Sequence, residues 1–167
     1  MSTVPPPVST TQALSMLRSA MGYLSAADAT TMAAETQAQC LYALEQVNSM
    51  GTAARASILG AFTTGRGYCA DADYSPRAWL INKTRITRSA AVAYTAWVRR
   101  AVAHPQVGQA LAAGEMSESY ARTICTWTDK LPEDCREDAD AILVQRAGEH
   151  GAGDHFVGEP LEFGRQV

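Results

Sequence analysis

Apolar residues recur every three or four positions along most of this chain, which is the period of an amphipathic helix. Between residues 10 and 24, for example, Leu14, Leu17, Met21 and Leu24 share one helical face. No run of residues alternates between apolar and polar in the way that predicts a strand. The pattern therefore predicts an all-α fold, a multi-helix bundle.

One predicted helix, over residues 28–64, is much longer than the others. At about 1.5 Å per residue, its length would be on the order of 50 Å. Gly51 is a candidate bend within it, and Gly65 or Gly67 is expected to cap its C-terminus. The apolar face of this helix is predicted to comprise Cys40, Leu41, Leu44, Val47, Ala54, Ile58, Ala61 and Phe62.

Two further helices, over residues 75–83 and 88–103, are separated by a short turn. Ser75 is a natural N-cap, and Pro76 suits the first helical position because the N–H that proline lacks is not needed there. His104 ends the second helix because a proline follows it. This layout is typical of a helix-turn-helix motif. Five apolar residues match the positions that hold such a pair together: Leu80, Ile81, Ile86, Ala91 and Tyr94.

Three positions depart from that motif. A small residue is preferred where Ile81 lies, an apolar one where Thr84 lies, and glycine where Arg85 lies. The pair is therefore predicted to be helix-turn-helix-like.

Three more helices are predicted beyond this pair. Gly114 is expected to cap the first, Ser117 to cap the second, and Pro132 to begin the third. The predicted organisation has three parts: a disordered tail at residues 1–9, a single helical domain at 10–148, and an irregular tail at 149–167.

Composition narrows the class of protein. Apolar residues make up 47% of the chain, enough for a hydrophobic core, and the dominance of alanine among them favours closely packed helices. The cysteines form no CxxC pair, so we interpret them as reduced thiols of a cytoplasmic protein, with Cys40 and Cys125 in the core. The sequence contains no secretory signal and no membrane-spanning run, so no membrane partner is expected.

Positive charge is concentrated in one part of an acidic chain. Residues 74–114 include six basic residues and no acid. The rest of the chain holds eight basic residues and all 17 acids, a balance of −9. Such asymmetry is expected where one face of a protein meets phosphate. Alternatively, the arginines cover apolar surface or pair with Asp71, Asp73 or the acidic residues at 133–140.

The basic segment supplies the candidate DNA-binding residues. The exposed positions of the second helix of the pair would be Thr87, Arg88, Ser89, Val92, Ala93 and Ala96. Only the first three of these can read bases well. We therefore expect phosphate contacts to dominate over base readout. Arg85, Thr87, Arg88 and Ser89 are predicted to meet DNA, with Lys83, Arg99 and Arg100 on phosphates.

No other group of residues predicts a chemical site. His150 and His155 have zinc-finger spacing, but Cys125 and Cys135 are too far apart to complete it. The chain lacks a phosphate-binding loop, and no catalytic residue, metal site or cofactor is predicted.

Other residues that could bear chemistry receive structural interpretations. His104 is expected to face the C-terminal dipole of its helix. The carboxylates at 133–140 are expected on a solvated helix face, or against the basic segment. The tryptophans are expected in the core rather than stacked on bases: Trp79, Trp97 and Trp127.

A set of short motifs extends along most of the chain. They comprise Ser75, Ala78, Trp79 and Leu80, then Leu111, Ala113, Gly114, Ser117, Ala121 and Arg122, and finally Leu131-Pro132. With these motifs, residues 12–148 resemble the N-terminal domain of unknown function 222, a bacterial family that commonly precedes an HNH endonuclease module. The resemblance implies an all-helical domain attached to a nuclease.

A second resemblance is local. The stretch "TRSAAVAY" and the later "GEMSESYARTI" are similar to the helix-turn-helix and following helix of ParB-type partition proteins. In those proteins a Ser-x-x-x-Ala-Arg stretch, here Ser117, Ala121 and Arg122, follows the DNA-reading pair. Both resemblances therefore imply an association with DNA.

An HNH site needs a general-base histidine and a metal held by His, Asn or Asp. The family usually carries this site further along the chain, and these 167 residues contain no such motif. The expected function is therefore a non-catalytic DNA-binding module of the HNH-endonuclease-associated family, with an HNH nuclease as a candidate partner. The alternatives are a protein-interaction domain that forms a homodimer through the long helix, and an inactive truncated remnant of a nuclease gene.

Overall fold

The computed structural model describes residues 9–150, with side chains to residue 148, and most of these residues are helical. This range contains seven α-helices, two short 3₁₀ helices and no strand, so the predicted all-α fold is confirmed. No helix in the range is both long enough and apolar enough to cross a membrane. The α-helices are α1 (Thr10–Ala26), α2 (Ala34–Thr64), α3 (Pro76–Thr84), α4 (Arg88–Ala103), α5 (Pro105–Ala113), α6 (Glu118–Thr128) and α7 (Glu133–His150).

The chain divides into two compact units, residues 1–41 and 42–167, with the boundary inside α2. No residue from 9 to 41 is buried. The single domain predicted for residues 10–148 includes parts of both units and stays a prediction. The predicted tails lie outside the described residues, apart from Ser9, which caps α1, and the last two residues of α7.

Short-range interactions place the helix ends in the second unit. The Ser75 hydroxyl accepts a hydrogen bond from the Ala78 N–H at 3.1 Å, and Pro76 begins α3. Ser117 caps α6 in the same way. Gly114 ends α5 with a φ of 72°, a conformation that favours glycine. These predicted caps are confirmed.

The long helix begins later than predicted and ends at residue 64 as predicted, but neither predicted glycine takes the capping conformation. It begins at Ala34, after a 3₁₀ helix at Ala29–Thr31, and it continues without interruption through Gly51. Neither predicted C-terminal glycine has a positive φ, because Arg66 takes the left-handed conformation, with a φ of 53°. Gly67 instead lies against Phe62, and a Cβ there would clash with the phenyl ring. Gly67 is therefore needed for space.

The predicted apolar face of α2 was wrong at five of its eight positions. Leu41 is 69% exposed and Ile58 is 70% exposed, and Val47, Ala54 and Ala61 are exposed as well. The buried residues of this helix are Ser49, Thr52, Ala56 and Leu59.

Hydrogen bonding explains why polar residues occupy that buried face. The Ser49 hydroxyl donates to the Glu45 carbonyl at 3.0 Å, and the Thr52 hydroxyl donates to the Asn48 carbonyl at 3.1 Å. Each small hydroxyl is thus satisfied within its own helix and can be buried at low cost. A pattern based on hydrophobicity alone cannot identify such a face.

Two hydrophobic clusters form the core of the second unit. The larger one includes Trp97, as expected, whereas Trp127 is 37% exposed and Trp79 is only partly buried. The larger cluster comprises Ala56, Trp97, Val107, Ala110, Leu111, Met116, Ala121, Ile124 and Cys125. The smaller cluster comprises Leu59, Leu80 and Ala91, with partly buried neighbours around them.

Candidate nucleic-acid interface

Helices α3 and α4 pack against each other through the smaller hydrophobic cluster. Leu80 and Ala91 are buried there, and Ile81, Ile86 and Tyr94 pack around them. All five residues predicted to hold the pair together therefore take part. Three residues separate the two helices, so the pair has the helix-turn-helix-like layout expected from the sequence.

The turn accommodates both of its unusual residues. Arg85 takes the left-handed conformation that usually selects glycine, with a φ of 56°, and its N–H donates to the Ile81 carbonyl at 3.1 Å. The Thr84 hydroxyl donates to the Leu80 carbonyl at 2.6 Å, so its polar group is satisfied within α3. The turn between α3 and α4 thus forms without the residues that the motif prefers at these positions.

A cleft of about 720 Å³ lies beside the pair, and we call it the basic cleft. Three exposed arginines line it: Arg77 from α3, and Arg88 and Arg99 from α4. No carboxylate is among its lining residues, as far as the described chain shows. Tyr74, Ser75 and Thr95 also line the basic cleft and add polar groups to it.

Helical geometry explains which arginines meet there. Arg88, Thr95 and Arg99 are spaced by seven and four residues, which places them on one face of α4. Arg100 lies about 100° around the helix from Arg99. Its guanidinium carbon is 5.4 Å from the centre of the Trp97 ring, and the side chain is half-buried. Arg99 therefore lines the basic cleft, whereas Arg100 packs beside Trp97.

Lys83 is already paired. Its ammonium nitrogen lies 2.7 Å from the Asp71 carboxylate, which realises the alternative of a pair with Asp71. The hydrogen bond with Asp71 raises the pKa of Lys83, and the same bond, together with one from the Trp79 indole, lowers the pKa of Asp71. A phosphate would have to compete with this carboxylate for Lys83.

The hydroxyls of Thr87 and Ser89, which were predicted to read bases, form hydrogen bonds at the N-terminus of α4. The Thr87 hydroxyl accepts from the Ala90 N–H at 3.2 Å and shares a 3.0 Å hydrogen bond with the Ser89 hydroxyl. Both side chains are exposed, but part of their hydrogen-bonding capacity is used. The structure thus brings Arg88 and Arg99 together and adds Arg77, which the predicted site lacked.

A buried polar network lies elsewhere in the second unit, and it was not predicted from the sequence. His104 is 1% exposed and Asp140 is fully buried. The ring nitrogens of His104 lie 2.8 Å from Asp140 and 3.2 Å from Asp129. The Thr128 hydroxyl donates to Asp140 at 2.7 Å. His104 does end α4, as predicted, but its ring reaches carboxylates on other parts of the fold.

This network corrects the prediction for the acidic cluster at 133–140. Its other carboxylates are exposed, as expected, but Asp140 is part of the interior. The signal available in the sequence was weak, because Asp140 differs from its acidic neighbours only by its position on the helix. Enclosure of His104 excludes it from contact with a substrate, so we assign the network a structural role.

Comparison with known proteins adds no identity. No protein-family model, no curated protein and no solved structure matches the chain. The resemblances to domain of unknown function 222 and to the ParB-type motif therefore stay predictions.

Proposed function

We propose that this chain is a non-catalytic DNA-binding module that uses the α3–α4 pair. One observation carries the proposal: the pair packs through the five expected apolar residues and presents Arg88 and Arg99 on one exposed face of α4. In helix-turn-helix proteins the second helix enters the major groove. Association with an HNH nuclease is the finer form of the proposal, and it rests on the family resemblance alone.

The side chains favour phosphate contacts over base recognition. Arginine donates several hydrogen bonds to phosphate oxygens in a planar geometry. The exposed face of α4 otherwise presents Val92 and Ala93, which have no hydrogen-bonding side-chain atoms. Sequence preference should accordingly be weak and affinity strongly dependent on salt.

The test is fluorescence anisotropy of labelled duplex DNA at low and at physiological salt. The decisive variant carries Arg85→Ala and Arg88→Ala, and it should bind at least about tenfold more weakly, because charged hydrogen bonds to phosphate are lost. A matched control carries Arg18→Ala and Lys130→Ala, which removes the same charge from exposed positions on other elements of the chain. Circular dichroism should show equal helicity in all three proteins.

The possible results distinguish an error in the assigned binding site from an error in the proposed function. Equal loss in both double variants would attribute binding to overall charge and overturn the assigned site. Wild-type protein that does not bind DNA even at low salt would overturn the function itself.

A protein-interaction function is the second candidate, and exposed apolar residues on α2 favour it. Leu41 and Ile58 are mostly exposed on this alanine-rich helix. Light scattering would detect a homodimer, and high salt should not dissociate it because apolar contacts are not screened. Ile58→Glu should then yield a monomer, whereas Val102→Glu, at an exposed position of α4, should leave the dimer intact.

A further inference from the structure

The basic cleft concentrates positive charge without an internal counter-charge. Its three arginines come from two helices, and Arg77 reaches it from the first turn of α3. The nearest acids along the chain are engaged elsewhere: Asp71 with Lys83, and Asp73 with Asn82 at 2.7 Å. The lining therefore favours an anion.

Two further features of the cleft suit a phosphate. The Ser75 hydroxyl accepts the capping hydrogen bond of α3, so its proton can be donated to a ligand oxygen. The N-terminus of α3 also lines the basic cleft, so the positive end of the helix dipole lies beside it.

An aromatic side chain stands beside these groups. Tyr74 lines the cleft and is 88% exposed, so its ring is open to solvent. Exposed aromatic rings beside basic grooves are platforms on which nucleic-acid bases stack.

We infer that the basic cleft binds the phosphate ester of a nucleotide, with Arg77, Arg88 and Arg99 on the phosphate and Tyr74 against the base. The nucleotide is either one unit of a DNA strand or a free nucleotide. Binding of a nucleotide within a DNA strand, the strand form of this inference, rests on the DNA-binding function proposed above. Binding of a free nucleotide, the free form, does not.

The test compares three labelled probes by fluorescence anisotropy: a single-stranded oligonucleotide, the duplex of the same sequence, and adenosine monophosphate. Arg77→Gln and Arg99→Gln should each weaken cleft-dependent binding about tenfold, since each removes a charged contact. Arg18→Gln makes the same change at an exposed position of α1 and should alter affinity less than about twofold. Tyr74→Ala should weaken the single strand more than the duplex, because only an unpaired base can stack on it.

Each outcome is decisive. Strand binding that depends on Arg77 and Arg99 supports the strand form. If the mononucleotide binds in the cleft and no DNA binds, the cleft stands and the proposed function fails. If DNA binding depends on Arg85 and Arg88 but not on Arg77 or Arg99, the function stands and the cleft is overturned. Absence of binding to all three probes overturns both.

Discussion

The residues that carry the family resemblance act on structure. Ser75 and Ser117 cap helices, Gly114 supplies a positive φ, and Ala121 is fully buried. Such residues set where helices begin, end and touch, so they bear on the fold more directly than on an activity. Arg122 is exposed, and it pairs with Glu118 at 3.4 Å.

Loss of the buried Asp140 carboxylate should destabilise the protein. Asp140→Ala would leave the His104 ring and the Thr128 hydroxyl without their buried partner, and we expect a loss of about 2–4 kcal/mol in the free energy of unfolding. Urea denaturation measures this change. Asp138→Ala, at an exposed position of the same helix, should stay within about 0.5 kcal/mol. Equal effects of the two changes would contradict the structural role of the network.

Cys125 should be the least reactive thiol. Burial, helped by the nearby Asp140 carboxylate, raises its pKa from 9.0 to about 12. Thiolate is the reactive form, so a disulfide reagent at pH 8 should label exposed Cys69 and Cys135 first and Cys125 only in denaturant. A Cys125→Ala variant identifies the protected thiol, and rapid labelling of every cysteine in the native protein would contradict the prediction.

The same pKa shift has a consequence for stability. The contribution of this thiol to folding is fully present below pH 9 and is lost as pH rises towards 12, because the unfolded chain releases the Cys125 proton first.

At the scale of elements, the turn between α3 and α4 places Arg85 in a backbone conformation that residues with a side chain disfavour. Arg85 occupies a left-handed conformation whose cost for a residue with a side chain is about 1–2 kcal/mol. The hydrogen bond to Ile81 and the cluster around Ile86 compensate for this cost. An arginine in this position keeps positive charge at the proposed interface, at the expense of stability.

Arg85→Gly should therefore stabilise the protein. Relief of the strained φ, less the greater backbone entropy of glycine when unfolded, predicts a gain of about 0.5–1 kcal/mol. Ala93→Gly, in the exposed middle of α4, should instead cost about 1 kcal/mol. Thermal denaturation followed by circular dichroism gives both values, and destabilisation by Arg85→Gly would show that the turn is unstrained.

At the scale of the whole molecule, a local basic face is set in an acidic protein. The net charge of −3 disfavours attraction of DNA by the surface as a whole, whereas the segment from 74 to 114 carries six basic residues and no acid. Affinity should consequently come from few contacts.

This charge distribution predicts a salt dependence that is set by a small number of phosphate contacts. Three to five phosphate contacts give a slope of log affinity against log salt between about −3 and −5, at roughly −0.9 per contact. Anisotropy titrations across a salt series measure the slope, with Arg99→Gln expected to make it shallower by about one. A much steeper slope would require contacts beyond the α3–α4 pair.

Sequence by itself determined the helices, because local interactions decide them. Ser75, Ser117 and Gly114 could be identified as caps since each acts within a few residues of its own position. The acid-free segment could be read directly from the order of residues, and so could the apolar positions that join α3 to α4.

Tertiary packing decided what depends on distant partners. It buried Ser49 and Thr52 and left Ile58 exposed on α2, and the two hydroxyls can be buried because each is hydrogen-bonded within the helix. It enclosed His104 with Asp140, 36 residues away. It also brought Arg77 to Arg88 and Arg99, since only the packing of α3 on α4 gives residues from two helices one cleft.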